Sequence, residues 1–600
     1  MNETNDMAGD LDGMASIEAS SVNEDDACLL GRVAAPPKKE STSDFFYFWV
    51  ERGKLVERGQ IVSTRSSLGG RSVEFIGLIE EVYRQSRQQD MSEEVDRFDA
   101  VTRYEPPFAS AGFTYAKVII LRTDPVTHAP PTEESPVRLG GQAEAQKGYG
   151  VDRMRDENRL SIGRLRNGGT SYAGPAIIDL AYLLGENGGH LNVNGIAGMG
   201  AKSSFLLHLI DLLVRWGKRT GLAGDAIRTQ LVPIIFNVKN FDLFFIDRWN
   251  RNWRDEHRND WKAIGIHDPQ PFRNVRFFAP QEARSLNPVR TGRDGVEAYS
   301  WGLVDVIEQR LFRFLFADTD IGNPTFGTLV GAIEERLTDD GKAEPTLRTD
   351  APQTFEELLT WAKTVDKDEI GEPHSGTRAS LVRRLRGMLQ DSDGVLRRKD
   401  SRGKPLKMPK SEIDGPWVID LFAVKDDKLK RFVVATVLYQ LVEMRSGNAT
   451  EGLRYLVTLD ELNRFAPKTG SDPISEMIER VAAEMRSQGI ILLGAQQEAS
   501  RVSPRVIENA GIRAVGRSGS LELSADVWKF LGPAARNQAA QIMEDEKLLV
   551  QASFRAPMLA KIPFPPWALR KEESLLGGDN LTATPAGAVG SRQPLTADEI

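Results

Sequence analysis

The segment NVNGIAGMGAKSSFLLHLI, residues 192–210, constrains the fold more than any other part of this 600-residue chain. An apolar, strand-like run leads into a glycine-rich turn, and Lys-Ser-Ser and an apolar helical run follow. Backbone N–H groups in such a turn converge on an anion, and the helix amino terminus adds its partial positive charge. A lysine then reaches the outer phosphates of a nucleotide, and a hydroxyl ligates Mg²⁺. The pattern therefore predicts a phosphate-binding turn between a strand and a helix.

The match to the phosphate-binding pattern G-x-x-x-x-G-K-[ST] is imperfect. Gly195 and Gly200 have the required spacing, but Ala201 stands before Lys202, and alanine at a position that needs positive φ costs free energy that glycine does not. The alternative is a strand-to-helix turn that uses glycine for close packing. That alternative does not explain Lys202, because a lysine buried at a helix start needs a partner. The residues predicted to bind the nucleotide are Gly195, Gly198, Gly200, Ala201, Lys202, Ser203 and Ser204.

A second apolar run, YLVTL, ends on the acidic pair Asp460 and Glu461. A buried strand would carry Asp460 to the same Mg²⁺ that Ser203 ligates, and Glu461 would polarise a water for attack on the γ-phosphate. Taken alone, an apolar strand that ends in acids is a common feature of packed sheets. Together with the glycine-rich turn about 260 residues upstream, it predicts nucleotide hydrolysis.

A third segment, EMRSQGIILLGAQQ, places an arginine before a strand and an amide at its end. Gln496 would contact the γ-phosphate or its water as a sensor. Arg486 and Arg513 are candidates for an arginine finger, and a finger acting in trans would link hydrolysis to subunit contacts. For each arginine the alternative is an ordinary charge on an exposed helix or loop.

The order of apolar runs predicts two architectures in one chain. Residues 28–150 contain short β-branched and aromatic runs between turn residues, which favours a small antiparallel barrel or sandwich. From 151 to 570, apolar strands alternate with helices, which is typical of a parallel sheet covered on both faces. A mostly helical stretch at about 300–410 interrupts this alternation and predicts an insertion. The polar ends, 1–27 and 571–600, are predicted to be disordered.

Composition excludes several classes of protein. The single cysteine, Cys28, excludes internal disulfides and a cysteine-based zinc site. The sequence contains no apolar run long enough for a membrane span and no secretory signal, so we expect a cytoplasmic protein without a membrane partner. The net charge of −8 comes from eight acids within residues 1–31, which contain no Lys or Arg. The remaining chain is formally neutral, so local basic patches must decide whether it binds a polyanion.

With these segments in place, the chain resembles the HerA-like hexameric ATPases of the HerA/FtsK class of DNA translocases. The resemblance covers roughly residues 28–570 and rests on the N-terminal barrel, GIAGMGAKSS, LVTLDELNRFAP, EMRSQGIILLGAQQ and PMLAKIPFPP. The degenerate phosphate-binding turn is similar to that of a bacterial HerA branch often found in antiphage systems. The resemblance implies a RecA-like P-loop ATPase core, a homohexameric ring, ATP with Mg²⁺, and double-stranded DNA in the pore.

By matched position, the resemblance assigns roles to individual residues. Ser203 and Asp460 would hold Mg²⁺, whereas Glu461, Arg486 and Gln496 would act in catalysis. The loop LNPVRTGRDG supplies Arg290 and Arg293 as candidate DNA contacts, with ordinary solvated surface as the alternative.

The expected function is an ATP-driven DNA translocase or helicase-like motor. It would work with a nuclease, sirtuin-like or other effector protein in antiphage defence or DNA end processing. Two alternatives stay open. One is a non-motor ATPase scaffold that organises an effector, and the other is an interaction protein with a dead nucleotide site.

Overall fold

The computed structural model describes two compact units. The first comprises residues 28–148 with 167–173, and the second comprises 149–166 with 174–575. None of the helices described is both long enough and apolar enough to cross a membrane. Within 28–575, the residues outside the description are 86–91, 93–94, 97, 106–111, 197–200, 221–228, 317–323, 340, 342–343, 372, 391, 393, 448–451 and 470–471.

The first unit is built around a closed antiparallel barrel with the strand order β1-β2-β5-β4-β3-β6 in its described residues. On β2, Phe46 and Phe48 are fully buried and Tyr47 is nearly so, whereas Trp49 is 41% exposed. The strand order shows that the closed barrel is the correct one of the two architectures left open by the sequence, and closure removes the free sheet edges. The elements are β1 (Leu29–Val33), β2 (Phe45–Val50), β3 (Ile61–Leu68), β4 (Arg71–Gln85), β5 (Phe113–Asp124), β6 (Pro136–Leu139) and α1 (Gln142–Gly148).

The second unit contains a mixed sheet in which twelve described strands take part. Helices cover it, as its nearly continuous apolar strands require. The strands of this unit are β7 (Arg159–Arg166), β8 (Tyr172–Asp179), β9 (Gly189–Asn194), β10 (Gln230–Asn237), β11 (Arg276–Pro280), β12 (Val296–Tyr299), β13 (Thr338–Asp339), β14 (Thr346–Leu347), β15 (Trp417–Asp420), β16 (Leu453–Asp460), β17 (Ile490–Gln496), β18 (Ala510–Val515), β19 (Glu546–Gln551) and β20 (Met558–Lys561). Its helices are α2 (Ala201–Thr220), α3 (His257–Ala263), α4 (Leu303–Glu308), α5 (Pro324–Leu337), α6 (Phe355–Thr364), α7 (Ser375–Gln390), α8 (Asp427–Gly447), α9 (Pro473–Glu484), α10 (Pro504–Glu508), α11 (Ser520–Leu523) and α12 (Pro533–Ala539).

The centre of the large sheet is parallel and has the order β10-β16-β17-β9-β18. Strand β17 lies between β9, which precedes the glycine-rich turn, and β16, which carries the acidic pair. The register aligns their ends, since Asn194 pairs with Gln496 and Asp460 pairs with Ala495. All three strands therefore end at one edge of the sheet, where α/β proteins bind ligands. The predicted α/β fold, with parallel strands at its centre, is confirmed.

Helices α4 to α7 form the predicted insertion between β12 and β15. The apolar run from 301 to 316, which lies in the stretch predicted as mostly helical, is divided in the structure. Helix α4 ends at Glu308, Arg310 adopts a positive φ of 55°, and a short 3₁₀ turn follows at Phe312–Leu315. The apolar pattern continues across this break because Leu311 and Phe312 are both fully buried. Periodicity therefore identified the buried residues correctly but missed the change of chain direction.

Two features of this unit differ from the sequence-based expectation. Strands β19, β20 and β7 extend the parallel sheet with antiparallel pairings, which apolar alternation alone did not distinguish. Residues 571–575, predicted to lie in a disordered tail, belong to the fold. They form a 3₁₀ turn, and Leu575 N–H donates to the Trp249 carbonyl at 3.0 Å. Backbone pairing with a distant segment leaves no signal in the local composition.

Candidate functional site

A cleft of about 740 Å³ opens at the carboxyl edge of the central strands. Lys202, Ser203 and Asp460 line it together, although the first two lie on α2 and the third ends β16. Gly195 follows β9, and its N–H donates to the Gln496 carbonyl at 3.3 Å. Gly198 and Gly200 lie outside the described residues, and helix α2 begins at Ala201. The structure thus brings the lysine, hydroxyl and carboxylate of the two predicted segments into one cleft.

Lys202 is the most unusual cation of this cleft. Its side chain is almost completely buried, with 5% of the residue exposed, and its ammonium has no hydrogen-bond partner among the described residues. Burial lowers its pKa, although the nearby Asp460 works in the opposite direction. A buried ammonium without a partner costs free energy. An anion bound at the start of α2 would supply the missing partner, as the helix terminus itself favours.

The side chains of Ser203 and Asp460 form a direct hydrogen bond, although the two residues lie 257 positions apart in the sequence. The Ser203 hydroxyl donates to Asp460 Oδ2 at 2.8 Å, while Asp460 Oδ1 accepts from the Glu461 N–H at 2.9 Å. A hydroxyl and a carboxylate are hard oxygen ligands of the kind that Mg²⁺ prefers, so this pair fits that ion. Ser204, predicted to bind the nucleotide, instead lines a different cavity of about 350 Å³.

Glu461 lies immediately after β16 in a left-handed conformation, with φ 58°. Its carboxylate accepts ion pairs from Lys239 at 2.6 Å and from Arg464 at 2.8 Å, and Gln497 Nε2 lies 3.4 Å from Oε1. Burial acts to raise the pKa of Glu461, but the two cations outweigh it and hold that pKa below its ordinary value. A non-glycine residue at positive φ is uncommon and is maintained by its surroundings. Here the fixed backbone holds a charged carboxylate against Lys239, which lines the cleft.

The two glutamines at the end of β17 have different surroundings. Gln496 is fully buried, and its amide forms two hydrogen bonds with the Asn192 amide, at 2.7 and 3.1 Å. Its hydrogen-bonding groups are therefore committed to the core, which does not suit the predicted sensor role. Gln497, one position later, contacts Glu461 instead. Sequence position suggested either amide, and the strand register decides between them.

Arg486 lies at the opposite edge of the sheet. It is exposed in the 3₁₀ turn Met485–Gln488, just before β17, and its side chain packs beside Gly189 at the start of β9. A seven-residue strand spans about 20 Å, which separates Arg486 from the carboxyl edge of the sheet in the same chain. The structure therefore does not bring Arg486 to Lys202 and Glu461. Arg513, half-buried on β18, has its guanidinium 4.6 Å from the centre of the Phe530 ring.

Two arginines expected to contact DNA have other surroundings. Arg293 forms a bidentate ion pair with Asp247 at 2.9 and 3.0 Å, donates to the Phe244 carbonyl, and stacks 3.7 Å above the Phe277 ring. Its charge is neutralised in this structure, which does not favour the predicted DNA contact. Arg290 is exposed and lines the same cleft as Lys202. Its charge faces the phosphate-binding edge of the sheet.

Several cleft residues were missed by sequence reasoning. Lys239 follows β10, and Arg570 and Lys571 come from the C-terminal segment, so five cations line the cleft together with Lys202 and Arg290. Burial raises the pKa of the cleft residue Asp242 to about 6. Lys239 was open to prediction, because it follows a strand that pairs with β16 and ends at the same edge. Arg570 and Lys571 were not, since nothing in the local sequence indicates where the C-terminal segment packs.

No protein-family model matches the chain, and no curated protein matches it. Among solved structures, VirB4 of Thermoanaerobacter pseudethanolicus is similar with 16% identity and a TM-score of 0.41, over 69% of this chain and 98% of that chain. The unbound bacterial conjugative coupling protein TrwB is similar with 14% identity and a TM-score of 0.39, over 64% and 88%. The genome packaging NTPase B204 from Sulfolobus turreted icosahedral virus 2, in complex with ATP-gammaS, has 15% identity and a TM-score of 0.20, over 25% and 68%.

Proposed function

We propose that this chain is a Mg²⁺-dependent ATPase whose site lies at the carboxyl edge of β9, β16 and β17. The observation that carries the proposal is the 2.8 Å contact between Ser203 and Asp460, beside a buried Lys202 whose ammonium has no hydrogen-bond partner among the described residues. A magnesium ligand pair and a lysine for the phosphates thus line one cleft, and an acid for water activation is paired with Lys239, which lines the same cleft. This convergence also favours a working site over a dead one, because an unpartnered buried ammonium has a cost that a bound phosphate would remove.

Each residue has a distinct part in the reaction. Lys202 and the amino terminus of α2 would hold the phosphates, and Ser203 and Asp460 would hold Mg²⁺, which supplies charge neutralisation when bound. Glu461 would accept a proton from the attacking water as the new bond from its oxygen to the γ-phosphorus forms. The bond between that phosphorus and the bridging oxygen breaks, and ADP leaves with the electron pair.

We further propose that the chain works as a homohexameric ring in which Arg486 serves a neighbouring subunit. The support from the fold is the position of Arg486, exposed and about one strand length from its own site. An arginine finger supplied by a neighbour neutralises charge that develops in the transition state. The hexamer itself rests on the HerA-like resemblance, as does the part of the barrel in assembly and partner docking.

Double-stranded DNA as the partner, and an effector protein in antiphage defence, also belong to this proposal through the same resemblance. The neutralised Arg293 favours a second candidate, a non-motor ATPase scaffold that organises an effector. The two candidates differ in one measurable property. A translocase hydrolyses ATP faster when duplex DNA is added, whereas a scaffold does not.

The test combines calorimetry of ATP binding, assays of ATP turnover and mass photometry of the assembly. Wild-type protein should bind ATP, and Lys202→Ala should abolish this binding; undiminished binding by the variant would refute the site. ATP turnover with and without duplex DNA then separates the motor from the scaffold. Mass photometry at the same concentrations should show a six-fold assembly, and a monomer that hydrolyses ATP at the full rate would refute the ring.

A further inference from the structure

The carboxylate of Glu461 is held by a cation from a neighbouring strand end. Lys239 lies two residues beyond β10, and its ammonium is 2.6 Å from Glu461 Oε1. The other oxygen, Oε2, pairs with Arg464 at 2.8 Å. Both oxygens are therefore occupied by cations in this structure. A water molecule that Glu461 is to orient must therefore compete with these cations for the carboxylate oxygens.

The two cations differ in where they lie. Lys239 lines the same cleft as Lys202, Ser203 and Asp460, whereas Arg464 is absent from the described cleft lining. The Lys239 side chain is 41% exposed, while the Glu461 side chain is only 12% exposed. The ammonium therefore has room to move on a flexible four-carbon stem, and the carboxylate is fixed by its backbone and its burial. Of the two cations, Lys239 is the one that a bound triphosphate would meet.

We propose that Lys239 is a positioning residue that holds Glu461 in the resting site and moves to the terminal phosphate when a nucleoside triphosphate binds. This inference rests on the ATPase function proposed above. The exchange replaces a contact with a singly charged carboxylate by a contact with a terminal phosphate of higher negative charge, so the exchange favours binding. It also releases Glu461 Oε1 from the ammonium, so that this oxygen can accept a hydrogen bond from the attacking water. A nucleoside diphosphate lacks the terminal phosphate, so Lys239 stays on Glu461 and the site stays at rest.

The exchange makes a prediction about binding that does not depend on turnover. Calorimetry of the full-length assembly measures affinity for a non-hydrolysable ATP analogue and for ADP. Lys239→Ala should weaken analogue binding by about tenfold, because the contact that the ammonium gains with the terminal phosphate outweighs the contact that it gives up with Glu461. It should change ADP binding by less than about threefold, as expected for a side chain that ADP does not contact. Lys239→Arg should restore most of the preference for the analogue.

Two further variants serve as controls. Arg464→Ala removes the other cation from Glu461 but takes no charge from the cleft, so it should leave the ratio of analogue to ADP affinity unchanged. Glu461→Gln removes the competing carboxylate, so it should strengthen analogue binding and leave ADP binding as it is. The proposed exchange would be overturned if Lys239→Ala left the ratio of analogue to ADP affinity unchanged. It would also be overturned if Arg464→Ala lowered that ratio as much as Lys239→Ala does.

The failure of this inference is distinguishable from the failure of the ATPase proposal. If wild-type protein binds neither nucleotide, the ATPase proposal is wrong. If wild-type protein binds and hydrolyses ATP but Lys239→Ala keeps the normal ratio of affinities, the site assignment stands and Lys239 has no contact with the terminal phosphate. Near-identical thermal unfolding of wild type and Lys239→Ala will show that the comparison involves folded protein.

Discussion

Replacing Arg293 by methionine tests whether this arginine is part of the fold or a contact for DNA. The guanidinium forms two bonds with Asp247 and lies over Phe277, and the two charged side chains are only 15% and 22% exposed. Methionine retains much of the apolar stem but leaves Asp247 without its partner. Breaking a fully buried ion pair costs about 3–5 kcal/mol. Since both groups keep some contact with water, we expect a loss of about 2–3 kcal/mol.

That free energy corresponds to a measurable change in the midpoint of thermal unfolding. At about 2 cal/mol/K of unfolding entropy per residue, a cooperative unit of roughly 400 residues should shift by about 3 °C. The assay is differential scanning calorimetry of Arg293→Met, Asp247→Asn and the double variant. If the two residues act as a pair, the double variant should lose little more than either single variant.

Arg290→Met is the matched control. Arg290 lies three positions before Arg293, is exposed, and forms no ion pair among the described residues. Its midpoint should stay within about 1 °C of wild type, as is usual for surface substitutions. A normal midpoint for Arg293→Met, combined with loss of any stimulation by duplex DNA, would refute the structural role. It would restore Arg293 as a DNA contact.

Four other predictions concern the site and its supports. Glu461→Gln should bind ATP but turn it over about 100-fold more slowly, the effect of losing a general base, and steady-state turnover measures this directly. Arg486→Ala should retain ATP binding and lose turnover, and mixing it with Glu461→Gln subunits should restore part of the activity; no recovery at any ratio argues against a role in trans. Gln496→Leu should lower stability by about 1–3 kcal/mol, because it leaves the buried Asn192 amide unpaired, while ATP binding persists in calorimetry. His208 is buried, and burial lowers its pKa to about 4. As the pH falls, this histidine is therefore protonated in the unfolded chain before it is protonated in the folded chain. Its contribution to stability is present above about pH 6.5 and is lost as the pH falls towards 4, so the unfolding midpoint of His208→Gln should fall less than that of wild type between pH 7 and 5.

The sequence predicted the central fold well because buried parallel strands leave a strong signal. The run containing VPIIFN corresponds to β10, and IILLGAQ corresponds to β17. The predicted phosphate-binding lysine and the predicted acidic pair both lie at one edge, as expected for segments that follow strands of a single parallel sheet. Features that depend on pairing between distant segments were missed. The antiparallel extension β19-β20-β7 and the ordered residues 571–575 are of this kind.

The site itself was predictable only as far as backbone direction determines it. Strand ends fix which residues reach the carboxyl edge, but not which of two adjacent side chains faces the cleft. Gln496 and Gln497 illustrate the limit, because period-two alternation separates them and the register was unknown. Arg293 illustrates another limit, since a basic loop reads as an anion site until its carboxylate partner, Asp247, is placed beside it.

The contacts within the cleft bear on how tightly the protein binds its nucleotide. Ser203 forms a hydrogen bond with Asp460, and Glu461 forms an ion pair with Lys239. The groups proposed to bind Mg²⁺ and to orient the water therefore already have partners. A hydroxyl oxygen keeps its lone pairs while its proton is donated, so Ser203 can ligate Mg²⁺ without giving up its hydrogen bond to Asp460, and that bond holds both proposed ligands in place. Lys202 also favours binding in this proposal, because a bound phosphate would give its buried ammonium a partner that the described residues do not supply. The site is therefore arranged to favour a ligand that carries both a metal ion and a terminal phosphate over either one alone.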